Sequence, residues 1–174
     1  HTNFEIATRS PLIVAAPGQK APGRPSDALI EFIDVYPTVA ELCGLPVPDE
    51  VEGRSFAPLL DNPDLPWKEA ALSQYPRRRG TLMGYSIRTA RHRYTEWLPW
   101  NREKGILSLE PAAVELYDHA TDPAETVNVA ARPENAGLLR ELSRILRQTA
   151  RLQPEPNQGM IPAGGASALT VLQE

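Results

Sequence analysis

The sequence predicts an α/β fold assembled from two unlike parts, and three observations predict it. An apolar run closed by Pro17-Gly18 is followed by a proline-initiated, glycine-terminated helical stretch. A long proline-punctuated connection then interrupts the pattern. After it come short alternating runs and a single amphipathic helix. The first part reads as a strand and helix of a parallel sheet, the second as a small antiparallel sheet with one helix packed on it.

Each element has its own argument. Ser10 to Ala16 is apolar on both faces and reads as a buried strand covered by helices. Gln19 to Ser26 is a Pro/Gly/Lys loop, and Ala28 to Ile33 is a second apolar segment. Asp34-Val35-Tyr36-Pro37 opens a helix that runs to Gly44, with proline in the first turn and glycine past the end. Asp34 is placed to accept hydrogen bonds from the free amides of that first turn. Cys43, the lone cysteine, excludes an intrachain disulfide framework and a cysteine-rich zinc site, and reads as a small buried packing residue.

Pro46 to Pro66 is the connection, with Gly53-Arg54-Ser55 embedded in it. Ala70 to Tyr75, Leu82 to Thr89, Tyr94 to Leu98 and Val114 to Asp118 are the strand-like runs, with Arg91-His92-Arg93 as a hairpin turn. Asp122-Pro123-Ala124-Glu125 is a turn or a helix start. Glu134 to Leu152 sets Leu138, Leu139, Leu142, Ile145 and Leu146 on one stripe, with Arg140, Glu141, Arg144 and Arg147 outside it. The organisation expected is therefore 1–66 as the end of a large α/β domain with its connection, 67–152 as the antiparallel subdomain, and 153–174 as a loose tail.

Composition narrows the function only by exclusion. A net charge of −4 argues against a nucleic-acid partner, which needs clustered positive charge. Arg77-Arg78-Arg79 is the one basic run, and by itself reads as a solvated loop. No apolar run has the length of a membrane span, so no membrane partner is expected, and no secretory signal is visible.

Four ordered segments carry a resemblance. They are His1-Thr2-Asn3-Phe4-Glu5 through Arg9-Ser10-Pro11-Leu12-Ile13; Asp34-Val35-Tyr36-Pro37-Thr38 with Gly44-Leu45-Pro46 and Gly53-Arg54-Ser55; Ser73-Gln74-Tyr75-Pro76-Arg77 with Met83-Gly84-Tyr85-Ser86-Ile87-Arg88-Thr89 and Arg93-Tyr94-Thr95; and Glu115-Leu116-Tyr117-Asp118 with Asp122-Pro123-Ala124-Glu125 and Asn128. Together they resemble the C-terminal part of the sulfatases, within the alkaline-phosphatase-like hydrolases, on the branch similar to iduronate-2-sulfatases. The resemblance implies an α/β/α sandwich continued by the small sheet. It also implies hydrolysis of sulfate esters, on sulfated, uronate-containing sugars, in an extracytoplasmic compartment.

The same resemblance implies a formylglycine nucleophile made from Cys-x-Pro-x-Arg, and a calcium ion that holds the sulfate. Cys43 does not fit that motif, because Leu45 and Val47 stand where proline and arginine belong. Nucleophile and calcium ligands are thus expected upstream, in a missing N-terminal sulfatase region that would be this chain's partner. Alternatives are a related phosphodiesterase or phosphonate-ester hydrolase, or a non-catalytic interaction module.

The substrate-binding candidates lie in loops. His1 would sit at the pocket edge, where an imidazole titrates near neutral pH. Thr2 and Asn3 would touch substrate or order that loop. Tyr75 and Arg77 would present a planar guanidinium to an acidic sugar. Trp97 and Lys104, with Trp100 and Arg102, would stack on and pair with a uronate ring. Structural roles are expected elsewhere: Glu5 pairs with Arg9, Arg88 with Glu115 or Asp118, and His92 and His119 are turn or surface residues.

Overall fold

The computed structural model describes residues 2–152 of the 174. The expectation of a loose tail at 153–174, and the candidate His1, lie outside the described residues.

The core is an antiparallel sheet. Strands β1 (Ala70–Arg77), β2 (Leu82–Thr89) and β3 (His92–Asn101) follow one another, and β5 (Ala113–Asp118) returns to pair with β3. A two-residue strand β4 (Ile106–Leu107), absent from the sequence reading, extends the same edge of β3. Asn128 dresses the outer edge of β5: its side chain accepts from Leu116 N–H and donates to the Val114 carbonyl. Such side-chain pairing occupies an edge that would otherwise template another strand.

The sheet is covered on both faces, so every residue from Arg93 to Leu98 is buried. On one face lies helix α4 (Ala136–Thr149), whose Leu142, Ile145 and Leu146 pack on Ile87, Tyr94 and Leu116. Arg147 falls outside the expected solvent face; it reaches Glu96 at 3.1 Å and the Leu109 carbonyl at 2.8 Å. Glu96, also bound by Tyr94 Oη and Ser143 Oγ, is a buried carboxylate, and a buried charge persists only when so paired.

The other face is closed by the start of the chain. Helix α1 (Glu5–Thr8) lies against Arg88 and Arg93, and the Phe4 ring meets Tyr117 edge to face at 5.5 Å. The expected Glu5–Arg9 pair is a loose 3.9 Å contact with Arg9 largely exposed.

The part between α1 and β1 is less regular. Ser10 to Ala16 is not a strand: no described residue pairs with it, and Ile13 is 93% exposed. A strand needs a neighbour to take its backbone hydrogen bonds, and this segment has none here. Helix α2 (Val35–Leu42) forms as expected and Gly44 closes it, but Cys43 is exposed rather than buried. Asp34 does not cap α2. It is 0% exposed and holds the connection instead, taking Arg54 N–H at 2.7 Å, Glu31 N–H at 3.0 Å and the Lys68 ammonium at 2.7 Å. Thr38 Oγ1 accepts from Phe56 N–H at 2.9 Å, just before the short helix α3 (Ala57–Asp61). No helix among the described residues is long and apolar enough to cross a membrane.

Candidate functional site

Strand register places most of the candidate residues. Tyr75, Gly84 and Trp97 stand opposite one another across β1, β2 and β3. Period-two alternation sets Arg77 on the same face, two residues beyond Tyr75. The buried Asn3 donates to the Gly84 carbonyl at 3.1 Å, which brings the Thr2-Asn3 segment onto this row. Thr2 Oγ1 lies 3.4 Å from Phe4 N–H, so its hydroxyl shapes the local turn.

Trp97 itself is only 3% exposed. Its Nε1–H donates to Glu115 at 2.9 Å, and the Arg77 guanidinium lies over its ring, 4.2 Å from the centroid. A Cβ added at Gly84 would sit 2.5 Å from a ring carbon, so glycine is what lets the indole lie flat on β2. The indole thus acts as a floor that orients Arg77, and the open stacking platform expected of it is not formed. Lys104 stands apart from the row, exposed in the turn between β3 and β4.

Behind the row lies a charged cluster that the sequence reading missed. Arg93, 1% exposed, donates from Nε to Glu125 and from one terminal nitrogen to Glu5 at 2.6 Å and Thr8 Oγ1 at 2.9 Å. Glu125 also accepts from Glu5 N–H at 2.7 Å and faces His119 Nε2 at 2.7 Å. Arg88 pairs with Glu5 rather than with Glu115 or Asp118; Asp118 takes Arg91. His119 is accordingly an inward partner and not a surface residue. The nearest sequence signal was Asp122-Pro123-Ala124-Glu125. Asp122 there accepts Thr126 and Val127 N–H in a tight turn, leaving Glu125 at φ 55 and aimed inward.

The electrostatics follow from these pairs. Burial raises the Glu5 carboxyl, but Arg88 and Arg93 outweigh it and hold the group below its ordinary value. Burial and the Glu115 carboxylate push the Tyr117 phenol up to about 12. Glu5, His119 and Glu125 are also the one described group whose donor atoms lie close enough for a metal. They do not suit calcium, which takes six to eight oxygen ligands, because two arginines already occupy these carboxylates.

Residues 2–152 match the model of the N-sulphoglucosamine sulphohydrolase C-terminal family. The chain belongs to that family. This sulfatase C-terminal domain is 30% identical to mouse iduronate 2-sulfatase over 201 residues, covering 82% of this chain and 36% of that protein. Two solved structures share its fold. One holds D-glucosamine-2-N,6-O-disulfate as substrate (TM-score 0.54, 28% identity, 68% of this chain and 23% of the other). The other is a phosphonate monoester hydrolase from Silicibacter pomeroyi (TM-score 0.60, 28% identity, 80% of this chain and 28% of the other). The chain therefore spans about a quarter to a third of the relatives it matches.

Proposed function

We propose that this chain is the C-terminal portion of a sulfatase that hydrolyses sulfate esters of uronate-containing sugars, in an extracytoplasmic compartment. Nucleophile and calcium site belong, in this reading, to the remainder of the protein, and the described residues form the outer wall of the pocket. The supporting observation is the row on which Asn3, Tyr75, Arg77 and Trp97 meet. It joins the segment behind His1 to a guanidinium held flat by an indole. A planar cation fixed in this way suits the two parallel acceptors of a uronate carboxylate. The relative named iduronate 2-sulfatase supports the uronate part of this reading, and the neighbour holding disulfated glucosamine supports a sulfated sugar more broadly.

The exposed apolar side chains of the first part have a place in this reading. Ile13, Phe32, Tyr36 and Val39 would pack on the missing N-terminal sulfatase region, where burial is worth about 1.5–3 kcal/mol per large side chain.

The test is made on the full-length protein. Arg77→Ala removes a charge-assisted contact worth about 1.5–3 kcal/mol. It should lower kcat/KM for an acidic sulfated sugar by about 10- to 100-fold, with little change on a neutral aryl sulfate. Lys104→Ala should follow the same pattern if that exposed ammonium reaches the sugar. Equal losses on both substrates would show a structural role only. The 174-residue chain alone should release no sulfate from 4-nitrocatechol sulfate.

A second reading is favoured by the phosphonate monoester hydrolase, which has the higher TM-score of the two structures. Faster turnover of a phosphonate monoester than of any sulfated sugar by the full-length protein would select it.

A further inference from the structure

Beyond Arg77 the row opens into a cleft of about 590 Å³ lined by Tyr75, Arg77, Arg78, Arg79 and Arg102, with no carboxylate on its walls. Two turns build it. One joins β1 to β2 and carries Arg78 and Arg79; the other follows β3 and carries Arg102. Trp100 N–H donates to the Thr81 carbonyl at 2.9 Å and holds the two turns side by side.

Three features separate this cleft from an ordinary basic surface. The first is charge without compensation. Arg24, Arg91, Arg93, Arg147 and Arg151 each meet a carboxylate. Among the described residues, the side chains of Arg78, Arg79 and Arg102 make no ion pair and no hydrogen bond. Four guanidinium groups thus share one concavity in a chain whose net charge is −4. Such crowding is unfavourable until an anion neutralises it.

The second feature is backbone strain. Arg78 has φ 50 and Arg79 has φ 56, followed by Gly80 at φ 84. Glycine takes that region without penalty, whereas a residue with a Cβ does not. Arginine occupies two positions whose backbone favours glycine, and such outliers gather at ligand sites. The third feature is rigidity on one side: Arg77 is fixed over Trp97, so one wall is oriented in advance.

We infer that this cleft is a subsite for a second anionic group of the substrate, a sulfate or carboxylate on the saccharide unit next to the one that carries the reacting ester. The inference rests on the sulfated-sugar reading above. An open, arginine-lined concavity suits one anionic substituent of a longer chain, with Arg77 at the junction between the two sugar units. The full-length protein then prefers sulfated oligosaccharides to monosaccharides.

The test replaces the strained arginines by the residue their backbone prefers. Arg78→Gly and Arg79→Gly remove charge while relieving strain, so the turn survives, and Arg102→Ala removes the opposite wall. The probe is a sulfated uronate–glucosamine tetrasaccharide, titrated calorimetrically into the full-length protein and its variants. With each charge-assisted contact worth about tenfold, the triple variant should bind it about 100-fold more weakly or worse. Its melting temperature should hold or rise, and turnover of a neutral aryl sulfate should not change. Arg132→Ala, which removes an exposed charge elsewhere, should leave the affinity unchanged. Unaltered tetrasaccharide affinity in the triple variant overturns the subsite. So does an equal loss on the aryl sulfate, or equally tight binding of an oligonucleotide of matched charge.

The two readings fail separately. A protein that hydrolyses sulfate esters but keeps its tetrasaccharide affinity in the triple variant loses the subsite alone. A protein inactive on every sulfate ester, whose variants still lose the tetrasaccharide, loses the hydrolytic reading alone.

Discussion

The sheet with α4 and the segment from Ser10 to Pro66 differ in where their apolar side chains go. In the sheet, Ile87, Leu98, Leu116 and Leu146 are all at 0% exposure, and β3 is covered on both faces. In the earlier segment, Phe32 is 81% exposed and Ile13 93%, and regular structure is limited to short helices. What fixes that segment locally is polar: Asp34, Glu31 and Lys68 form a triad, and Arg54 lies 3.9 Å over the Trp67 ring. One region is held by a core of its own. The other is held in shape by a buried carboxylate while its apolar face points outward.

The sharpest break of this contrast is Arg93→Ala. It leaves the buried Glu125 and the part-buried Glu5 beside each other without their shared cation, at a cost of about 3–5 kcal/mol. The unfolding free energy from a denaturant titration followed by tryptophan fluorescence should fall by that amount, and α1 should detach. A loss under about 1 kcal/mol would mean that water reaches the cluster, as it does in exposed pairs.

The next effect changes size with context. Ile13→Ser with Phe32→Ser should cost the full-length protein about 1.5–3 kcal/mol per side chain. In the 174-residue chain the same changes should shift stability by no more than about 0.5 kcal/mol, since both groups are already exposed. They should instead reduce the aggregation expected of so much uncovered apolar surface. A monomeric, cooperatively melting 174-residue chain without these substitutions would show that the face needs no cover.

These two experiments also mark what was legible in the sequence. Leu82–Thr89 is a strand within the expected bounds, and the Leu142, Ile145 and Leu146 stripe faces the sheet, because alternation and helical period are local signals. Arg93 read as part of a turn and Arg147 as solvated, because a charged residue inside a pattern looks like an outward one until its partner is known. Glu5 lies 88 residues from Arg93, and Lys68 lies 34 from Asp34. No window along the chain contains either pair. Ser10 to Ala16 erred in the opposite direction: its composition suits a buried strand, but pairing is a property of the neighbour. Within the candidate site, Tyr75 and Arg77 were legible as a motif. The role of Trp97 as their floor needed the register through Gly84.

A smaller effect sharpens the packing of that row. Gly84→Ala drives a methyl into the Trp97 ring and should cost about 1–3 kcal/mol, the usual range for overpacking. The shift should also loosen Asn3, whose bond is to the Gly84 carbonyl. Faster amide exchange in residues 2–8 would report this, and unchanged exchange would separate Asn3 from the row.

The smallest effect is titration. Burial pushes the His92 imidazole below its ordinary value of 6.5; Asp118 opposes this, while Arg91 and Arg88 reinforce it. A group whose folded value is depressed is bound to its proton more readily in the unfolded chain. His92 therefore contributes stability that is complete above about pH 6.5 and is lost as the pH falls through the lower folded value. Glu5 is depressed from 4.5 and acts in the same direction further down, complete above about pH 4.5 and lost as its carboxylate protonates. The denaturant midpoint should thus decline with acidification in two stages. His92→Gln should flatten the stage nearer neutrality and leave the acid stage in place. Glu5→Gln should leave the near-neutral stage and reduce the acid stage, to which the depressed carboxyls of Asp61, Asp118 and Asp122 also contribute. A near-neutral stage in His92→Gln as steep as in the parent chain would place that stage on another group and show that solvent reaches the His92 ring freely.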